Sequence, residues 1–212
     1  MNQPLAYVHP QAIVAKNTVI EPFVNIEKNV EIGEGTWIGS NVTIMEGARI
    51  GKNCKIFPGA VISAVPQDLK FNNEDSIVRI GANPVIREFV TINRGTKANY
   101  ETVVGNNCLL MAYVHVAHDC VVGNNVILVS YVGLAGETIV DDFAIIGGHS
   151  AAHQFSNVGA HAMISGMSSI FKDVPPYVLA GHRPLSYYNL NIVGLRRRGF
   201  TNAQIQQISE IY

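Results

Sequence analysis

Residues 20–49 read IEPFVN-IEKNVE-IGEGTW-IGSNVT-IMEGAR, with isoleucine opening every group of six. An aliphatic residue recurs at this spacing through 8–62, 80–92 and 104–170, where Ala152 is the one member other than Ile, Leu or Val. A small or β-branched residue follows most of these positions four residues later. Because an α-helix repeats at about 3.6 residues and an amphipathic strand at about 2, neither explains a period of six.

The period predicts an all-β fold, a parallel β-helix. Each hexad would form one short strand and one corner, and three hexads would complete a triangular coil of eighteen residues with the aliphatic side chains inside. Residues eighteen apart would then lie side by side on adjacent coils, about 4.8 Å apart at the backbone. The period leaves the hand of the β-helix open, and the general rule for parallel crossovers favours the right hand.

The repeat is interrupted twice and then ends. Residues 63–79 and 98–103 break the period, so we predict two loops that leave the solenoid, and functional residues concentrate in such loops. Pro175 and Pro176 lack the backbone donors that another coil would need, which predicts a solenoid over residues 1–175.

Residues 176–212 are predicted to form a C-terminal extension that begins a helical subdomain. Thr201-x-x-Gln204 is a capping-box pattern, so a helix should follow it. The helical pattern reaches residue 212 without a C-cap, and we therefore expect that the helical portion is cut short here.

Composition restricts the class of protein. The 212 residues carry a net charge of -1, which provides no general attraction to nucleic acid or to an anionic membrane surface. With 48% hydrophobic and 15% charged residues, the chain should fold rather than stay disordered. The longest uncharged stretch, 120–136, is too short and too polar to span a bilayer, and residues 1–5 show no secretory signal. We therefore expect a cytoplasmic protein.

The three cysteines, Cys54, Cys108 and Cys120, all occupy the small-residue position of their hexads. Their odd number and the lack of C-x-x-C spacing argue against a disulfide framework and against a zinc site. We predict that they are interior packing residues.

The eighteen-residue coil places His118, Gly136 and Gln154 in one row on three adjacent coils. A histidine can accept a proton at neutral pH, and a carboxylate such as that of Asp119 can orient it. Because Gly136 has no side chain, its backbone N–H could approach a substrate carbonyl and stabilise an oxyanion. The row fits acyl transfer, and it also fits a polar face of the solenoid with no catalytic role.

Three further patterns each allow two interpretations. Several histidines could form a metal site shared between subunits, but His115 and His118 hold different positions in their hexads, which argues against a common site. A row of small residues that ends at Gly166 could leave a groove for an acyl chain or serve close packing of the coils. The cationic run 196–198 suits a diphosphate, or is a solvated charge run. The histidines considered as metal ligands are His115, His149, His153 and His161.

Seven short motifs are highly specific when taken together. They are QDLK at 67–70, NRGT at 93–96, HVAHDC at 115–120, DDFAIIGG at 141–148, HQF at 153–155, DVPPY at 173–177 and GLRRRGF at 194–200. With these motifs the chain resembles, over essentially its whole length, the acyl-ACP:UDP-N-acetylglucosamine O-acyltransferases that begin the synthesis of lipid A, the lipid of lipopolysaccharide. The resemblance implies a left-handed parallel β-helix of hexapeptide repeats, a soluble homotrimer with active sites between subunits, and no metal or free coenzyme as cofactor. It also implies transfer of a 3-hydroxyacyl group from acyl carrier protein to the 3-hydroxyl of UDP-N-acetylglucosamine.

The resemblance also implies a role for each matching residue. His118 would deprotonate the sugar hydroxyl, Asp119 would orient His118, and the Gly136 amide would stabilise the oxyanion. Residues that would bind or line the sugar and the acyl group are Gln67, Asp68, Lys70, His115, His153 and Gln154. Residues that would bind the nucleotide are Asn191, Arg197 and Arg198. Gly166 would limit the length of the acyl chain.

Two positions depart from the family pattern, because Glu137 and Asn93 stand where the family often has histidine. They leave open whether the acceptor is the ordinary UDP-sugar or a diamino analogue, which would make the protein an N-acyltransferase. The related N-acyltransferase of this pathway carries an N-terminal uridine-binding domain, for which the repeats that start at Val8 leave no room. Other hexapeptide acyltransferases, a metal-dependent hydratase and a non-catalytic β-solenoid scaffold are the remaining alternatives.

Overall fold

A computed structural model describes residues 4–182 and 186–212. Residues 1–3 lie outside the described residues. They belong to the predicted solenoid and to the N-terminal segment that shows no secretory signal. The described chain forms short strands followed by two helices. In chain order the strands are β1 Tyr7–Val8, β2 Ile13–Val14, β3 Val19–Ile20, β4 Asn25–Ile26, β5 Glu31–Ile32, β6 Trp37–Ile38, β7 Thr43–Ile44, β8 Ala48–Ile50, β9 Lys55–Ile56, β10 Val61–Ala64, β11 Ile77–Ile80, β12 Val85–Ile86, β13 Thr91–Asn93, β14 Glu101–Val104, β15 Leu109–Leu110, β16 His115–Val116, β17 Val121–Val122, β18 Ile127–Leu128, β19 Gly133–Leu134, β20 Ile139–Val140, β21 Ile145–Ile146, β22 Ala151–Ala152, β23 Asn157–Val158, β24 Met163–Ile164, β25 Ser169–Ile170, β26 Val178–Gly181 and β27 Ser186–Leu190.

The strands form three sheets, the sides of a triangular prism. Sheet A takes every third strand from β1 to β25, sheet B every third strand from β2 to β23, and sheet C every third strand from β3 to β24 and then β26 and β27. Pairing is parallel up to β26, and among β1 to β25 the partners lie eighteen residues apart wherever no loop intervenes, as in His115–Gly133–Ala151. The chain is the predicted left-handed parallel β-helix of hexapeptide repeats.

The core of the prism is the column of aliphatic residues that the period predicts. All of them are buried except Val8 and Val14 in the first coil, which are partly buried. Cys54, Cys108 and Cys120 are buried beside the column with no disulfide among them, which confirms their packing role.

The fourth residue of most hexads has a positive φ, a feature that the period alone does not predict. Asparagine tolerates this left-handed conformation, but aromatic residues rarely adopt it. At the corner that follows sheet C, the rings of Phe89, Tyr113, Tyr131 and His149 stack on one another with centroids 5.1, 4.9 and 4.6 Å apart. Stacking between successive coils stabilises these corners.

Strands occupy parts of both predicted loops. The first loop, predicted at 63–79, is confined to residues 65–76, and the second, predicted at 98–103, runs over 94–100. The reason is that β11 and β14 are longer than the period requires and pair with each other over all four of their residues. These additional residues keep strand geometry although they lie outside the hexads.

The two prolines do not end the solenoid. Pro175 and Pro176 lie at a corner, between Val174, which bridges to Val158, and β26, which pairs in parallel with β24. At the corner of a terminal coil their missing N–H groups leave no strand donor unsatisfied. Sheet C therefore extends past the predicted boundary at residue 175, and β27 closes it in antiparallel orientation.

Two short helices follow, α1 Ile192–Arg197 and α2 Asn202–Ser209. The predicted capping box is present, because Thr201 N donates to Gln204 Oε1 at 2.8 Å and Gln204 N donates to Thr201 Oγ1 at 3.3 Å. Helix α2 ends at Ser209 with Glu210 as its C-cap, whereas the sequence predicted a helical pattern up to residue 212. Neither described helix is long and apolar enough to cross a membrane.

The buried thiols lead to a chemical prediction. Burial raises the pKa of Cys54 to about 11 and that of Cys120 to about 12, and it also raises the pKa of Cys108. The thiolate is the reactive form, so the folded protein should react with an aromatic disulfide reagent at neutral pH at least about 100-fold more slowly than the unfolded chain. Stopped-flow thiol titration with and without denaturant measures both rates, and rapid reaction of the folded protein would contradict this assignment.

Candidate active site

His118 lies at the corner between β16 and β17 and is 8% exposed. Its Nδ1 is 2.8 Å from Asp119 Oδ2, and its Nε2 is 3.9 Å from Asp68 Oδ2 in the first loop. A carboxylate can only accept, so the Nδ1 proton points to Asp119 and Nε2 keeps its lone pair. The imidazole is therefore arranged to accept a proton at Nε2.

Asp119 is held by the second loop. Its buried carboxylate accepts hydrogen bonds from Thr96 N at 3.0 Å, from Thr96 Oγ1 at 2.6 Å and from Asn99 N at 3.1 Å. Asp119 N donates to Thr102 Oγ1 at 2.8 Å. These donors compensate for the hydration that the carboxylate loses on burial. The second loop thus fixes the group that orients His118.

Gly136 brings bare backbone against His118 from the next coil. A Cβ atom added at Gly136 would collide with Nε2 and Cε1 of the imidazole, so only glycine fits without displacing His118. Among the described residues no group accepts a hydrogen bond from Gly136 N. At the equivalent corner position after sheet B, Asn124 N donates a hydrogen bond to Asp142 Oδ1 of the next coil at 2.6 Å. The Gly136 amide is therefore an open donor beside a proton acceptor.

One cavity is lined by His118, and a second is lined by Asp68, its neighbour at Nε2. The first, which we call the histidine cavity, has a volume of about 390 Å³, and its polar wall consists of Gln67, Asn93, His115 and His118. Small residues of sheet A, among them Gly133, form its floor.

The second cavity, the loop cavity, has a volume of about 470 Å³ and lies under the two loops. Charged and polar side chains line most of it: Asp68, Lys70, Lys97, Glu137 and Gln154. Of the residues predicted for the substrate, Gln67 lines the cavity of His118 and Asp68 is 3.9 Å from its Nε2, while Lys70 and Gln154 share the loop cavity with Asp68. Their roles stay predictions. Lys97 and Asn93 were not predicted as site residues, although the interruption of the repeat beside them could have indicated both.

His115 faces the histidine cavity beside His118. Its Nδ1 is 2.7 Å from Thr91 Oγ1, and burial together with the neighbouring His118 lowers the pKa of His115. His115 is therefore neutral at neutral pH and available for hydrogen bonds rather than for charge.

Known proteins match this chain in both sequence and structure. Models of bacterial transferase hexapeptide repeats match residues 29–64 and 101–136, and a model of UDP-N-acetylglucosamine O-acyltransferase, domain 2, matches residues 173–212. A solved UDP-N-acetylglucosamine acyltransferase from Bacteroides fragilis is 52% identical with a TM-score of 0.98, over 99% of this chain and 82% of that one. The chain belongs to the UDP-N-acetylglucosamine acyltransferase family.

Two further acyltransferases are similar to this chain. The solved enzyme from Francisella novicida is 44% identical with a TM-score of 0.98, over 100% of this chain and 78% of that one. A curated acyl-[acyl-carrier-protein]--UDP-N-acetylglucosamine O-acyltransferase from Verminephrobacter eiseniae is 42% identical over 152 residues, which are 71% of this chain and 58% of that protein. The match thus spans less than two thirds of the length of this curated relative.

In this member of the acyltransferase family, the residues predicted for the nucleotide line neither the histidine cavity nor the loop cavity. Asn191 and Arg197 line a third cavity of about 560 Å³ between sheet C and α1. Arg198 instead donates from Nη2 to Phe143 O at 2.7 Å, with its guanidinium 5.5 Å from the Phe143 ring. Arg198 therefore holds α1 against the coils.

His153 and Gly166 also lie apart from the two cavities. His153 is exposed, and its Nδ1 is 3.0 Å from the carbonyl oxygen of Gln154. Gly166 lies at the corner after sheet C, where an added Cβ would stand 3.1 Å from Gly148 O. This contact agrees with the close-packing interpretation of the small-residue row, and the role of Gly166 in acyl length stays a prediction.

The histidines considered as metal ligands are used in other ways. His149 stacks on Tyr131, and His161 stacks between Phe143 and Tyr177 with centroids 4.8 and 5.4 Å away. In the described ranges, no group of three or more His, Cys, Asp or Glu side chains is arranged to hold a metal ion.

A pair of glycine substitutions tests the geometry at His118. Gly136→Ala should displace the imidazole and break its 2.8 Å contact with Asp119, because the new methyl group occupies the position of the ring. Gly133→Ala is the matched control in the same coil, since a Cβ there meets no atom within 4 Å. Crystal structures of both variants show the His118–Asp119 contact directly. An undisturbed contact in Gly136→Ala would refute the close approach.

Proposed function

We propose that this protein transfers a 3-hydroxyacyl group from acyl carrier protein to the 3-hydroxyl of UDP-N-acetylglucosamine, the first step of lipid A biosynthesis. The observation that carries the proposal is the pairing of His118 Nε2, held by the buried Asp119, with the open Gly136 amide. The names of the curated relatives support the substrates and the reaction.

The geometry supports a general-base mechanism. His118 Nε2 removes the proton of the sugar hydroxyl while that oxygen attacks the thioester carbonyl carbon. Asp119 accepts the hydrogen bond from the Nδ1–H of His118 and stabilises the imidazolium. The Gly136 N–H donates to the oxyanion of the tetrahedral intermediate. The intermediate then collapses, the bond from carbon to sulfur breaks, and the carrier thiolate leaves and takes the proton from His118.

The loop cavity is suited to hold the sugar beside this centre. Its carboxylates, amides and ammonium groups can bond to hydroxyl groups, and Asp68 already lies on the Nε2 side of His118. Lys70 and Lys97 make no ion pair with another described residue and can contact an anionic or polar part of a substrate.

The nucleotide site is proposed to come from a neighbouring subunit of a homotrimer. Asn191 and Arg197 belong to the third cavity on sheet C, whereas His118 follows sheet A. A site between subunits would bring the two regions together. We further propose a cytoplasmic location, where the acyl carrier protein and the UDP-sugar are available.

Substitution of His118 tests the catalytic role. His118→Ala removes the proton acceptor and should lower kcat by about 100- to 10,000-fold. His9→Ala is the matched control, because His9 follows β1, five strands away in sheet A. Product formation from 3-hydroxyacyl carrier proteins and UDP-N-acetylglucosamine is measured by mass spectrometry. Near-normal turnover of His118→Ala, with His9→Ala also active, would end the proposal.

The same role predicts a pH dependence. Protonated imidazole cannot accept the hydroxyl proton, so kcat should fall as the pH is lowered from neutral to mildly acidic values. Initial rates at saturating substrate between neutral and mildly acidic pH test this, with circular dichroism to verify folding. A flat profile would contradict general-base catalysis.

A further inference from the structure

Asn93 is the last residue of β13 and lines the histidine cavity beside His118. It is 2% exposed, and it lies where β13 pairs with β10 across a register shift. Its side-chain Nδ2 donates to Val65 O at 3.4 Å, which is near the outer limit for a hydrogen bond. Its Oδ1 is buried and accepts no hydrogen bond from any described residue.

An unpartnered buried carbonyl requires a physical reason, because such an acceptor costs about 1–3 kcal/mol of stability. The next residue, Arg94, does not supply the missing donor, and its own buried Nε is also without a hydrogen-bond partner among the described residues. The Arg94 guanidinium lies 5.5 Å from the Phe71 ring, with Nη1 directed to Glu46 O at 3.5 Å. The Asn93 carboxamide, held only by one long bond, can turn its oxygen toward the cavity that it lines.

The lining of the histidine cavity determines which kind of hydrogen-bond donor can approach Asn93 Oδ1. Its floor is apolar and built from small side chains, including Ala117, Gly133 and Ala135. The charged lysines and Glu137 line the loop cavity instead. A neutral group with an N–H at one end and a methyl at the other fits this arrangement, with the N–H toward Asn93 and the methyl on the small residues.

We propose that Asn93 is a specificity-determining residue whose Oδ1 accepts a hydrogen bond from the N–H of the acceptor's 2-acetamido group. This inference depends on the proposed function, in which the reacting 3-hydroxyl is held at His118 Nε2. The 2-acetamido group is attached to C2, the ring carbon bonded to C3, which carries the reacting hydroxyl. It must therefore lie close to the reacting centre. Binding of the acceptor then satisfies the acceptor atom that the free protein leaves without a donor.

The test uses Asn93→Leu, which replaces the carboxamide by an apolar group of similar size. If Oδ1 receives the acceptor's N–H, the variant should raise the KM for UDP-N-acetylglucosamine about tenfold and leave kcat and the KM for the acyl donor within about twofold. Because the unpartnered carbonyl is removed as well, Tm should not fall. Asn25→Leu, on β4 of the same sheet, is the matched control and should change none of these quantities.

Asn93→Asp distinguishes the role of Oδ1 from that of Nδ2. It keeps the acceptor oxygen and loses the donor to Val65, so a KM near that of the wild type supports the contact through Oδ1. A KM raised as in Asn93→Leu would instead assign the effect to the bond with Val65 and overturn the inference.

The remaining outcomes are also decisive. An unchanged KM in a folded Asn93→Leu protein overturns the inference and leaves the proposed function intact. A lowered Tm with unchanged KM assigns Asn93 a purely structural role. If the wild type itself does not acylate UDP-N-acetylglucosamine with any 3-hydroxyacyl carrier protein, the proposed function fails, and that failure is seen before any variant is made.

Discussion

Lateral registry between coils is the constraint on which the rest of the structure depends. The aliphatic residue that opens each hexad stacks on the one eighteen residues later, and a shift of one residue would turn the whole column outward. The burial of this column therefore fixes which corner residues become neighbours. His118 and Gly136 meet because Val116 and Leu134, two residues before each, are paired in the core.

The sequence alone predicts most of the fold, because the period of six reports directly on burial. It does not reveal the positive φ at the fourth residue of a hexad, since Asn29 and Tyr113 share that conformation without sharing chemistry. It also overestimates proline as a terminator, because a proline at a corner breaks no strand bond. The extra length of β11 and β14 depends on their pairing with each other, which no local pattern shows.

The adjacency of His118 and Gly136 was predictable for the same reason as the fold, since counting by eighteen places Gly136 beside His118. The partners of Asp119 were not, because Thr96 and Asn99 belong to a loop whose path no period describes. Arg198 illustrates a different limit. A run of three arginines indicates positive charge, but only the packing of α1 shows that one of them is used to bond Phe143 O.

The arrangement of strands has a consequence for how disorder would spread. Each coil is bonded only to the coil above and the coil below, so fraying starts at the ends of the stack and must pass through one turn before it reaches the next. Val8 and Val14 of the first described turn are the least buried members of the aliphatic column, so fraying is expected to start there. β16 and β19 are the sixth and seventh of nine strands in sheet A. His118 and Gly136 therefore lie between other coils on both sides, away from the ends of the stack where unfolding begins.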